Sequence, residues 1–166
     1  EDLHANGFTE ISNLDDLLKL KNVNAKLAEL LLKWIPKIDN KHNLQEMLIR
    51  GLAIAEKPFD GTLLIELFDR KNVSFNLKWA IGNTIASAKV ENIAGWLGNK
   101  LASDNLDKEC EMLIYAAIKY FTYEKADAIL RRLFKVFPLQ VADAFTYIGN
   151  QDDLKFLKDK FWHSNK

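Results

Sequence analysis

A short mark built around an isoleucine returns along the chain at nearly constant intervals. It reads "GLAIA" at 51–55, "GNTIA" at 82–86, "YAAIK" at 115–119 and "FTYIG" at 145–149, which places Ile54, Ile85, Ile118 and Ile148 at spacings of 31, 33 and 30 residues. A period in this range belongs to stacked helical pairs, where no pair can bury its apolar side alone and each completes its neighbour. The register of the first pair admits a shift of a few residues. The period nevertheless predicts a quasi-linear stack rather than a closed bundle.

The residues between the marks agree with helix. Apolar positions recur at three and four, β-branched residues do not alternate with polar ones, and only 7 Gly and 3 Pro interrupt 166 residues. Start and stop signals cut the chain into about ten short helices. Ser12 with Asp15 makes a capping box before "LDDLLKL", Asn24 caps "AKLAELLLKWI", and Asp39 or Asn40 opens "NLQEMLIRGLAIA". Asp60 precedes "GTLLIELFDR", Ser74 caps "FNLKWAIGNTIASA", and "VENIAGWLGNKLA" reads as a further helix. Asp104 with Asp107 opens "DKECEMLIYAAIKYF", Thr122 caps "EKADAILRRLFKVF", Pro138 suits the first turn of "LQVADAFTYIG", and Asn150 with Asp153 starts "DLKFLKDKFW". No linker divides them, so residues 1–166 are expected to form one domain.

Charge excludes several functions. Lys plus Arg equals Asp plus Glu at 23 each, and the halves carry 11 against 12 and 12 against 11. A general electrostatic case for nucleic acid or membrane is therefore missing. Residues 119–166 lean basic, with 9 cations against 6 acids, and Arg131, Arg132 and Lys135 share one helix. No apolar run approaches the roughly 18 residues of a bilayer span, and the polar start "EDLHANGF" is unlike a secretion signal, which predicts a cytoplasmic chain. The missing initiator Met reads as processing or trimming.

The segment "LKWAIGNTIA", residues 77–86, resembles the second helix of HEAT and HEAT-like repeats. Their pattern runs roughly Asp-x-x-Val-Arg-x-x-Ala-x-x-Ala-Leu; Leu77 and Lys78 fall on the Val-Arg pair, Ile81 and Thr84 on the alanines and Ile85 on the leucine. Lys replaces Arg here, and Ser74 stands where the acid belongs. The resemblance implies an all-α, right-handed α-α superhelix of about four to five HEAT-like helix pairs. At about 100° per residue Leu77, Ile81, Thr84, Ile85 and Ala88 share one face, with Trp79, Gly82, Asn83 and Ala86 on the other. In a stack that second side also meets a neighbour, so small residues permit close approach and Trp79 fills the gap between repeats.

Catalytic and metal constellations are not legible. His4, His42 and His163 are scattered, Cys110 is alone in an apolar run and reads as a buried thiol, and acid pairs such as Asp15–Asp16 and Asp152–Asp153 suit first helical turns. Trp34, Trp96 and Trp162 have the spacing of core residues, and Gly95 with Gly98 suggests close helix packing. No catalytic residue, cofactor or metal is expected. The leading reading is a non-catalytic protein-binding scaffold, such as an adaptor, an assembly factor or a toxin-neutralising immunity protein. Arg50, Lys78, Trp79, Asn83, Glu111, Lys119 and Tyr147 are the candidate partner-binding residues on its inner helices, in a chain expected to be monomeric unless part of a larger assembly. The alternative is a HEAT-like nucleic-acid-binding or DNA glycosylase-type protein. Such an enzyme needs a basic groove with a carboxylate near the extruded base.

Overall fold

The computed structural model describes residues 2–38 and 41–163. Among them are ten α-helices: α1 (Asp2–Ala5), α2 (Ala25–Trp34), α3 (His42–Leu52), α4 (Thr62–Asp69), α5 (Phe75–Ser87), α6 (Ala94–Ala102), α7 (Leu113–Tyr120), α8 (Tyr123–Leu133), α9 (Pro138–Ile148) and α10 (Gln151–His163). Tighter 3₁₀ turns occupy Leu14–Lys19, Ile35–Ile38 and Lys108–Cys110. The chain is all-α apart from two-residue strands β1 (Phe59–Asp60) and β2 (Val90–Glu91), which pair in parallel with Phe59 opposite Val90. Val90 and Glu91 were expected inside a helix. They extend instead because Asn92 takes a left-handed turn (φ 57°), which Asn tolerates, and breaks the helix before Ala94.

Local capping follows the sequence at several helices but not at all of them: Thr122 precedes α8 without a side-chain cap bond, and Asp107 opens only the 3₁₀ turn Lys108–Cys110, so that α7 begins at Leu113. Asn24 Oδ1 accepts from Leu27 N at 2.9 Å and Ser74 Oγ from Leu77 N at 3.3 Å, each satisfying an amide that the helix itself leaves open. Asn150 and Asp153 form the expected reciprocal box: Asp153 Oδ2 accepts from Asn150 N at 2.8 Å and Asn150 Oδ1 from Asp153 N at 3.3 Å. The first box sits one residue later than expected. Asp16, not Asp15, receives the amides of Ser12 and Asn13, at 3.0 and 3.1 Å, and the turn that follows is 3₁₀ rather than α. Asp39 and Asn40 lie outside the described residues, as do the side chains of His42, Trp162 and His163.

Neighbouring helices pack in two ways. In sequence α2 lies on α3, α4 on α5, α6 on α7 and α8 on α9, while alternate helices α3, α5, α7 and α9 also contact one another in turn. Several contacts between successive pairs link residues 30 to 32 positions apart, while Trp96 meets Asp69 at 27 and Thr84 meets Ile49 at 35. Val23 bridges Ala55, Val90 N donates to Tyr120 Oη at 2.9 Å, Lys78 pairs with Glu109 at 2.6 Å, and Tyr123 Oη donates to Asp153 at 2.8 Å. The isoleucine spacings fall within the range of these separations. The first mark differs from the second. Ile54 lies past the end of α3 and is 37% exposed, whereas Ile85 is fully buried within α5; Thr84 Oγ1 instead reaches back to Ile49 O at 2.8 Å.

The predicted face of α5, Leu77, Ile81, Thr84 and Ile85, is fully buried. Each such aliphatic side chain contributes about 1.5–3 kcal/mol by leaving water. The buried cluster it belongs to runs continuously from Phe8 to Phe145.

Candidate functional site

The second face of α5 meets its neighbours through a glycine. A Cβ on Gly82 would stand 2.9 Å from Met112 Cβ, closer than side chains tolerate, so the backbone of α5 approaches the start of α7 only because position 82 is bare. The expectation for Gly95 does not hold: nothing lies within 4 Å of its would-be Cβ, because the start of α6 faces away from its partners. Gly98, one turn on, does pack, with Phe121 Cζ at 3.6 Å.

Beside Gly82 a chain of side chains crosses α3, α5, the entry to α7 and α9. Arg50 donates through Nε to Glu46 at 2.9 Å and lays its guanidinium over the Trp79 ring, 5.0 Å from the centroid. Trp79 Nε1 donates to Glu111 Oε1 at 2.8 Å, and Gln140 Nε2 donates to Glu111 Oε2 at 3.1 Å. Trp79 is half-buried. It therefore both closes the gap between neighbouring pairs and presents an edge to the surface.

Next to this chain lies an open groove of about 590 Å³, lined by Asn83, Met112, Tyr115, Lys119, Asp143 and Tyr147 among others. Tyr147 is 69% exposed. Tyr115 and Asp143 line the groove together; burial and the neighbouring Asp143 carboxylate push the Tyr115 pKa up to about 12, so the phenol stays protonated. Lys119 turns its ammonium onto the carbonyls of Ala86, at 3.1 Å, and Ala88, where α5 ends and its dipole is negative. Desolvation there, with Lys89 nearby, lowers the Lys119 pKa.

Six of the seven candidate residues thus gather on one surface: Arg50, Trp79 and Glu111 in the chain, and Asn83, Lys119 and Tyr147 in the groove. Lys78 does not join them. It pairs with Glu109 on another side of α5, its Nζ 5.8 Å from the Phe68 ring centroid, beside a cavity of about 120 Å³ bordered by Cys110. Cys110 is 4% exposed, and burial pushes its thiol pKa up. Trp96 packs edge-on against Phe68 and donates to Asp69 at 2.6 Å, in keeping with its expected role in packing.

Sequence reasoning missed Met112, Tyr115, Gln140 and Asp143. The signal for Tyr115 was present, because Glu111, Tyr115 and Lys119 follow one another at four-residue spacing and share a helical face. Asp143 precedes Tyr147 by the same step, yet nothing local says that α9 would bring it against Tyr115.

The basic lean of the C-terminal third is partly spent internally. Arg131 pairs with Asp127 at 2.8 Å and with the buried Asp153, Arg132 reaches Ser103 O at 3.4 Å, and Lys155 pairs with Asp152 at 3.0 Å. His4 Nε2 lies 3.0 Å from Ile11 O. Among the described residues no group of three or more His, Cys, Asp or Glu side chains is placed to hold a metal ion, and no helix is long and apolar enough to cross a membrane. Compared with protein-family models, with curated proteins and with solved structures, the chain finds no match.

Proposed function

We propose that the chain is a non-catalytic, HEAT-like α-α superhelix that binds another protein through the surface formed by α3, α5, α7 and α9. The observation that carries this reading is the groove, where an exposed tyrosine, a half-buried phenol, a carboxylate and a thioether converge from α7, the residue that precedes it, and α9. Aromatic and methionine side chains flanked by polar groups are the usual anchors of protein interfaces. Alternate helices that pack in turn provide a surface whose outward residues change without disturbing the buried ones. An adaptor, an assembly factor or an inhibitor of a cognate protein would each use such a surface.

The test is capture from the native organism on the immobilised chain, with nuclease, at low and high salt, alongside Tyr147→Ala. Tyr147 is mostly exposed, so its loss leaves the fold intact while removing an anchor. A stoichiometric protein that survives nuclease and salt on the wild type and is lost on Tyr147→Ala supports the proposal. Recovery only of nuclease-sensitive, salt-labile material overturns it in favour of nucleic acid, whose affinity falls steeply with salt.

A further inference from the structure

We propose that the α7–α9 end of the groove receives a basic side chain of the protein partner, arginine or lysine. Its cation meets Asp143 and the rings of Tyr115 and Tyr147, and its aliphatic stem lies on Met112 and Ile118. The inference rests on the partner-binding reading and names the chemistry of what is bound.

Three observations carry it. First, the charge of this end is unbalanced: among the described residues Asp143 takes part in no ion pair, and it lines the groove together with Tyr115 and Tyr147. Second, Lys119, the cation among the groove's lining residues, is committed elsewhere, with its ammonium on the carbonyls of Ala86 and Ala88. Third, the walls combine two aromatic rings with Met112 and Ile118. A guanidinium or ammonium is attracted to ring faces and forms charge-assisted hydrogen bonds with a carboxylate, while its methylene stem prefers apolar walls. An acidic side chain would face the Asp143 carboxylate and find the lysine occupied. A purely apolar one would leave the Asp143 carboxylate without a partner.

The experiment is selection of random peptides on the intact chain, followed by affinity measurement of the selected peptides. The expected peptides carry Arg or Lys beside an apolar residue. Replacing that Arg or Lys with Gln weakens binding about tenfold or more, as does Asp143→Asn in the protein, and the two changes together cost little more than either alone. Thermal unfolding of Asp143→Asn checks that the fold is retained. Peptides that need Tyr147 but carry no basic residue, or carry acids, overturn the inference, and so does indifference to Asp143→Asn; either result leaves partner binding at the groove standing. Failure to enrich any peptide over Tyr147→Ala also overturns it, and the capture experiment then decides by itself whether the chain binds a protein.

Discussion

The junction of α5 with α7 and the junction of α8 with α10 are held together by different chemistry. At the first, Leu77, Ile81, Leu113 and Ile114 are fully buried, and Gly82 lets the two backbones approach. At the second, a single carboxylate collects the bonds: Asp153, 1% exposed, accepts from Tyr123 Oη, Asn150 N and the Arg131 guanidinium, with Phe134, Phe156 and Phe161 stacked edge-on beside it. The middle of the molecule rests on shape and apolar burial, its C-terminal end on a charged latch. The two should respond differently to truncation and to pH.

The largest effect is expected from Leu113→Ala. It opens a cavity where the surroundings are already close-packed, and should lower unfolding free energy by about 2–5 kcal/mol in chemical denaturation, to the same extent at pH 4 and pH 7. A marked pH dependence of that loss would erase the distinction between the junctions.

Asp153→Asn comes next. It removes the charge that Arg131 and the Tyr123 hydroxyl face, and should cost on the order of 2 kcal/mol at pH 7, moderated because Arg131 is about a third exposed. The Asp153 pKa in the folded chain is lowered, through the hydrogen bonds from Asn150 and Tyr123 and the charge of Arg131, which outweigh its burial. A lowered folded pKa means that this stabilisation is present above the unfolded value near pH 4 and is lost as pH falls through the folded value. The wild type should therefore lose stability below about pH 4 more steeply than Asp153→Asn. Tyr123 works at the other end of the scale. Its hydroxyl donates to Asp153, which pushes its pKa up to about 12, so its contribution is full below the ordinary tyrosine value and is lost as pH rises through 12. Tyr123→Phe should flatten the alkaline limb of the stability curve.

Two glycines give smaller effects of opposite sign. Gly82→Ala improves helix propensity but drives a methyl group to within 2.9 Å of Met112 Cβ, and should destabilise by about 1–2 kcal/mol net. Gly95→Ala meets nothing within 4 Å and should stabilise by about 0.5 kcal/mol. Thermal melts of both variants would show whether the α5–α7 junction depends on a bare position 82. Equal stabilisation by both would mean that the junction yields.

The comparison also explains what was legible in the sequence. Asn24, Ser74 and the Asn150–Asp153 box are caps that bind amides two or three residues away, so their chemistry is local and reads directly. The buried face of α5 was legible for a similar reason, because helical periodicity is a property of a short window. Gly82 and Gly95 look alike in such a window, and only the position of the neighbouring helix separates them. The same holds for Lys78 and Trp79, adjacent in sequence, which turn to different sides of α5 and meet Glu109 and Glu111.

By itself the sequence determined that the chain is helical and where most of its helices start and stop. Those properties follow from hydrogen bonds and side-chain periodicity within a few turns. The tertiary structure alone decided that Val90 and Glu91 leave the helix to pair with Phe59 and Asp60. It also brought Tyr115 and Asp143 into one groove and turned Lys119 onto the end of α5, leaving one end of the groove acidic and aromatic. Such contacts join residues about thirty positions apart, and their geometry is set by the packing of whole helices, which no local window contains.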